Sequence, residues 1–173
     1  MAHAIEMFFD EQADAAVRGL WQRLADAGLP SPATLTHRQH RPHVSLTVAS
    51  SLGGVDLGPL RAVLASRLPT LRLNVLGAFP GPERVVFLGA VVTSELLACH
   101  ASAHAALAGQ PVGHWPYYLP GNWVPHCTLT WGLDTAQAAQ AFMLLRDFQP
   151  IVAVVTSAGI TDSETGEITL LTQ

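Results

Sequence analysis

The chain has no lysine. All nine basic residues are arginines, set against 13 acidic ones, for a formal charge of −4 over 173 residues. That balance argues against a protein that coats long nucleic acid, because non-specific affinity scales with the phosphates neutralised. A short or terminal nucleotide held in a pocket is not excluded. Cysteine is scarce too: Cys99 and Cys127 can make at most one bridge, so no disulfide framework exists. No uninterrupted apolar stretch reaches membrane-spanning length. The first ten residues, Met1 to Asp10, lack the basic flank and longer apolar run of a signal peptide. Together these absences predict no membrane association and a reduced, cytoplasmic setting. Charged residues make up only 13% of the chain and hydrophobic ones 49%, enough for a substantial core in one domain spanning 1–173.

Two segments repeat one pattern. Pro42-His43-Val44-Ser45-Leu46-Thr47 and Pro125-His126-Cys127-Thr128-Leu129-Thr130 both read Pro-His-x-(Ser/Thr)-Leu-Thr, separated by almost half the chain. In an extended strand, residues i and i+2 share a face. Each imidazole therefore stands beside a hydroxyl, with Leu46 and Leu129 turned to the opposite side. Cys127, lying between His126 and Thr128, is turned away with them, which disfavours a cysteine nucleophile.

The surrounding pattern repeats as well. Ala4 to Phe9 reads as a buried strand. Asp10 caps a helix carrying Val17, Leu20, Trp21 and Leu24 at helical spacing, closed by Gly28 and Pro30. The first histidine strand, about His43 to Ala49, is followed by a Gly53-Gly54 turn, a helix from Pro59 to Leu68 and a strand over Leu71 to Leu76. Pro80-Gly81-Pro82 breaks the chain. Then the order recurs: a strand from Arg84 to Val92, and a helix capped at Thr93 or Ser94 and running to about Leu107. The second histidine strand, Val124 to Trp131, follows. Asp134 with Gln137 resembles a capping box for a helix ending near Arg146, and Ile151 to Val155 and Ile168 to Leu171 read as strands. Both halves, about 1–79 and 83–173, thus read strand, helix, histidine strand, helix, strand. An internal duplication with pseudo-two-fold symmetry is the economical expectation, and it brings both histidine strands to one central cleft.

Such a cleft suits displacement at phosphorus. A base must activate the attacking hydroxyl or water, and an acid opposite must protonate the leaving oxygen. Histidine serves both roles near neutrality, its reference pKa being about 6.5. Ser45 and Thr128 can donate hydrogen bonds to the non-bridging oxygens, where transition-state charge must be held. The scheme requires neither metal nor cofactor, and the near-symmetry leaves open which of His43 and His126 is the base.

The paired His-x-(Ser/Thr)-Leu motifs and the duplicated element order resemble the two-histidine (2H) phosphoesterase superfamily. The nearest branch is the bacterial and archaeal 2′-5′ RNA ligase, or RNA 2′,3′-cyclic phosphodiesterase, group. The resemblance implies a bilobal α+β fold with two antiparallel sheets flanking a central cleft and helices outside. It implies His43 and His126 as the acid–base pair and Ser45 and Thr128 as phosphate-binding hydroxyls. The reaction implied is metal-independent opening of a cyclic phosphodiester to a 2′-phosphomonoester, or in some members 2′-5′ joining of RNA ends. Two departures stand out: Ser45 where threonine is commoner, and Val48-Ala49-Ser50 where the branch has an aromatic followed by glycine, an ending that Trp131-Gly132 keeps.

Other residues are secondary candidates. His37, Arg38, His40 and Arg41 crowd the approach to His43. Arg41 abuts the motif and is a candidate for substrate contact, whereas Arg38 reads better as part of a solvated loop. His100 and His104 stand one helical turn apart, but Ala101 occupies the place where a zinc protease carries glutamate, and spacing offers no third ligand. Trp115, Tyr117, Tyr118 and Trp123 crowd the loop entering the second motif, where an aromatic face can stack on a base; Tyr118 and Trp123 are the substrate-binding candidates. The expected partner is a small nucleotide or RNA-end phosphate, and the expected state is a monomer. A nucleotide-binding module without turnover, and a metal-dependent hydrolase using His100 and His104, are the competing readings.

Overall fold

A computed structural model describes residues 2–34, 37, 39–82 and 84–172. Seven strands and four helices follow in the order β1 (His3–Phe9), α1 (Glu11–Asp26), β2 (His43–Ala49), α2 (Gly58–Ser66), β3 (Thr70–Ala78), β4 (Val86–Ala90), α3 (Ser94–Ala106), β5 (His126–Thr130), α4 (Thr135–Leu145), β6 (Ile151–Asp162) and β7 (Ile168–Leu170). A single 3-10 turn, Pro116–Tyr118, interrupts the loop before β5. The strand–helix–strand–helix–strand order therefore occurs twice, with β7 appended. None of the described helices is long and apolar enough to cross a membrane.

Local chemistry sets the element ends as the sequence predicts. The Asp10 side chain accepts from the Ala13 amide to start α1, and the Thr93 hydroxyl accepts from Leu96 to start α3. Asp134 and Gln137 form a reciprocal capping box on α4. Asp10 does more than cap. Its second oxygen accepts from the Val154 amide at 2.7 Å, tying the start of α1 to β6.

The strands pair antiparallel in the order β2-β1-β6-β3-β4-β5, with β7 also on β6. β6 belongs to both sheets: Ile151 to Val154 pair with β3, and Val155 to Asp162 with β1. The first sheet thus takes its third strand from the second half of the chain. A strand ending at Val155 is what apolar content predicts, and the continuation over Thr156-Ser157-Ala158-Gly159 is the correction. Small polar residues hide this stretch from hydrophobic periodicity. At Gly159 a small residue is required, because a Cβ there would stand 3.0 Å from the Thr169 carbonyl oxygen and 3.1 Å from the Phe8 ring.

Alternation divides the strands into two faces. Ile5, Met7 and Phe9 of β1, Val44 and Leu46 of β2, Leu88 of β4, and Cys127 and Leu129 of β5 enter one buried core with Val17, Leu20, Trp21 and Leu24 of α1 and Leu96 of α3. Each such fully buried aliphatic side chain contributes about 1.5–3 kcal/mol of hydrophobic stabilisation. The helices cover that face. Glu6, Phe8, His43 and Ser45 share the other face of the first sheet, with Glu6 opposite Ser45 and Phe8 opposite His43. Phe87, Gly89, His126 and Thr128 share the corresponding face of the second, with Gly89 opposite His126 and Phe87 opposite Thr128. β2 and β5, the two ends of the strand order, come together without pairing.

Candidate active site

Both histidines are the first residue of their strand, and each follows a proline. Proline has no N–H to contribute to a ladder and so fits just before the strand begins. It also biases the residue before it toward extended backbone. The consequence is the same on both sides. His43 Nδ1 donates to the Arg41 carbonyl at 2.7 Å, and His126 Nδ1 donates to the Val124 carbonyl at 2.7 Å. A carbonyl only accepts, so Nδ1 carries the proton, and in a neutral ring Nε2 is the basic nitrogen.

The hydroxyl positions are matched as well. The indole N–H of Trp123 donates to the Ser45 carbonyl at 3.0 Å, and that of Trp21 donates to the Thr128 carbonyl at 3.1 Å. Each histidine strand is thus held by an indole on the backbone carbonyl of its hydroxyl-bearing residue. Among the described residues, neither the Ser45 nor the Thr128 hydroxyl is spent on a protein acceptor, which leaves both free to donate to a ligand.

Around the rings the halves differ. On the His43 side, Nε2 stands 3.1 Å from Oε1 of Glu6, a carboxylate only 5% exposed. The other Glu6 oxygen accepts from the Thr161 hydroxyl. On the His126 side the neighbours are aromatic: Phe79 lies edge-on at 4.8 Å between centroids, Phe87 at 5.2 Å and Tyr118 at 6.5 Å. Burial pushes the proton affinity of His126 down, the Val124 carbonyl opposes this, and a charge on His43 lowers it further. β2 and β5, which carry the two rings, lie side by side. Burial pushes the Tyr118 hydroxyl up to about 12, helped by the negative charge of Glu6. Arg41 lies with its guanidinium 4.5 Å over the Phe8 ring, on the same face as Glu6.

Of the residues singled out in the sequence, His43, Ser45, His126, Thr128, Arg41 and Tyr118 gather at this cleft. Trp123 is committed elsewhere: besides its bond to Ser45 it stacks on His100 at 4.0 Å with the planes 5° apart. Its polar atom and one face are used to hold β2. Trp115 and Tyr117 are exposed. His100 Nε2 pairs with the Tyr118 carbonyl, and His104 Nε2 with that of Leu46, so both serve the same scaffold. His37 and His40 pack on each other, and His40 lies edge-on to Trp131. Arg38 lies outside the described residues. Cys127 enters the core, and burial pushes its thiol up to about 12, against a smaller opposing pull from the His43 backbone.

Sequence reasoning missed Glu6, Thr161, Phe79 and Phe87. For Glu6 a signal existed. It is the single charged residue in the apolar run Ala4 to Phe9, and carboxylates are almost never fully buried unless paired. The others carry none, because their roles come from strands that meet only in the fold.

The family model for the 2′-5′ RNA ligase superfamily matches residues 9–167. No curated protein matches the chain. Among solved structures, Usb1 of Kluyveromyces marxianus is similar in fold, with 10% identity and a TM-score of 0.55 over 99% of this chain and 98% of that one. The structure of the same Usb1 with uridine monophosphate gives a TM-score of 0.52 over the same shares, again at 10% identity.

Proposed function

The chain belongs to the 2′-5′ RNA ligase superfamily of two-histidine phosphoesterases, and from that premise we propose that it is a metal-independent phosphodiesterase. Its reaction is the opening of a 2′,3′-cyclic phosphate on a nucleotide or RNA end, with His43 and His126 as the acid–base pair. The observation that carries this reading is the matched Nδ1-to-carbonyl contact on both histidines, which makes Nε2 the reactive nitrogen of each ring.

In the proposed reaction one Nε2 takes a proton from water as the water oxygen bonds to phosphorus. The bond from phosphorus to the 3′ oxygen breaks, and the other Nε2 delivers its proton to that oxygen, leaving a 2′-phosphomonoester. Ser45 and Thr128 donate to the non-bridging oxygens, worth about 2.7–4 kcal/mol per well-placed donor. Arg41, whose guanidinium lies over Phe8, neutralises phosphate charge. Tyr118 offers the aromatic surface for a base, and the structure of Usb1 with uridine monophosphate supports a nucleotide-sized ligand for this fold. Duplication of a strand–helix–strand–helix–strand unit is our proposal for the origin of the paired motifs, supported by the repeated element order.

The test is a phosphorus NMR panel run in EDTA with 2′,3′-cyclic nucleotides, cyclic dinucleotides, ADP-ribose cyclic phosphates and 2′-5′ linked oligomers. Conversion of a 2′,3′-cyclic phosphate to a 2′-monoester is the expected outcome. Calorimetric binding without product across the panel would replace this reading with that of a binding module.

A further inference from the structure

Glu6 breaks the symmetry of the site. It lies on β1, opposite Ser45 and two residues from Phe8, the partner of His43. One oxygen accepts from Thr161, and the other stands 3.1 Å from His43 Nε2. The second nitrogen of that ring is already 2.7 Å from the Arg41 carbonyl. Carbonyls and carboxylates only accept, so a ring held between the two satisfies both only when both nitrogens carry protons. His126 makes the same Nδ1 contact, but its surroundings are Phe79, Phe87 and Tyr118 where His43 meets a carboxylate.

We propose that Glu6 is a positioning residue that holds His43 as the imidazolium, which makes His43 the general acid and His126 the general base. The inference rests on the phosphodiesterase reading above. Glu6 itself needs this partner, because a carboxylate buried in a strand with only a neutral hydroxyl for company is unfavourable.

The other groups facing His43 do not compete for the role. From β5 comes His126, kept neutral by burial, while the Cys127 thiol, turned into the core on the opposite face, is pushed up to about 12 by burial. From the approach segment comes His40, pushed down to about 4 chiefly by burial, and beside Glu6 stands Tyr118, pushed up to about 12. All four are uncharged near neutral pH. The Arg41 guanidinium remains, and it lies over the Phe8 ring, whereas Glu6 meets His43 Nε2 directly. Environments that separate two titratable groups in this way assign the acid and the base. With substrate bound, the proton on His43 Nε2 leaves its hydrogen bond to Glu6 for the departing 3′ oxygen, as His126 Nε2 removes one from water; Glu6 stays a carboxylate and His43 becomes neutral. Exchange with solvent afterwards resets both rings.

Nitrogen-15 NMR of the histidine rings in the wild-type protein, without substrate near pH 7, tests the assignment directly. The expected result is a doubly protonated His43 and a His126 protonated on Nδ1 alone. Two neutral rings, which would place the proton on Glu6, or the reverse pattern, would overturn it. Kinetics of Glu6→Gln give an independent readout, because the amide donates to Nε2 and favours the neutral ring. The alkaline limb of kcat/KM should move down by about one pH unit or more while the acid limb stays. A uniform drop with neither limb moved would mean Glu6 is only structural. Because the NMR needs neither substrate nor variant, it decides the role of Glu6 even if Glu6→Gln fails to fold or no cyclic phosphodiester is turned over.

Discussion

Gly77→Ala is a small change aimed at the wall of the site. Gly77 lies on β3 opposite Phe87, and a Cβ there would stand 2.7 Å from Phe87 Cζ and 2.8 Å from Cε2. No left-handed backbone is needed at this position, so alanine brings no backbone strain. It should even gain about 0.4–1 kcal/mol by restricting the unfolded chain. Against that gain stands the ring. A free phenylalanine would swing aside, but Phe87 is held by Phe79 at 4.4 Å and by His126 at 5.2 Å. Overpacking of this kind costs about 1–3 kcal/mol. The net expectation is a loss of up to about 2.6 kcal/mol in urea unfolding, together with a fall in kcat/KM as the displaced ring disturbs His126. Adding Phe87→Leu should restore most of the stability. A Gly77→Ala protein as stable as wild type with unchanged kinetics would refute the claim that the Phe79–Phe87 wall fixes His126.

Further outcomes follow from the same contacts. Trp21→Phe and Trp123→Phe each remove one hydrogen bond to the carbonyl of a hydroxyl-bearing residue. Each should cost about 0.5–1.5 kcal/mol by chemical denaturation, and the two losses should add if the strands are held separately. His100 is pushed down to about 4 and His104 and His114 are lowered, all chiefly by burial. Their unfolded forms therefore bind more protons than the folded ones between about pH 6.5 and pH 4, so stability should fall as pH drops through that window. Thermal melts from pH 7 to pH 4.5 should show the fall, and His100→Gln should flatten it; an unchanged slope would mean these rings are not held neutral.

The motifs made the centre of the site legible, because strand alternation alone places a histidine and a hydroxyl on one face. Asp10, Thr93 and Asp134–Gln137 fixed helix starts for a similar local reason: capping is chemistry within three residues. What stayed hidden depends on contacts between distant segments. The continuation of β6 over Thr156-Ser157-Ala158-Gly159 carries little apolar signature, and Gly159 is fixed by the close approach of Phe8 and β7. The loop aromatics could not be sorted either. Tyr118 and Trp123 look alike in sequence, yet only the fold shows Trp123 engaged by His100 and the Ser45 carbonyl. Glu6 left a signal as the one charge in an apolar strand, but its pairing with His43 was not legible.

The central claim is that two histidines share one displacement at phosphorus. It is tested most directly by kcat/KM of His43→Ala and His126→Ala on a 2′,3′-cyclic nucleotide in EDTA, with folding checked by circular dichroism. Each substitution should lower the value by about 10²–10⁴-fold, and the double variant should lose little more than the worse single one, because the two act as a unit. Full activity in either folded single variant would contradict the paired mechanism.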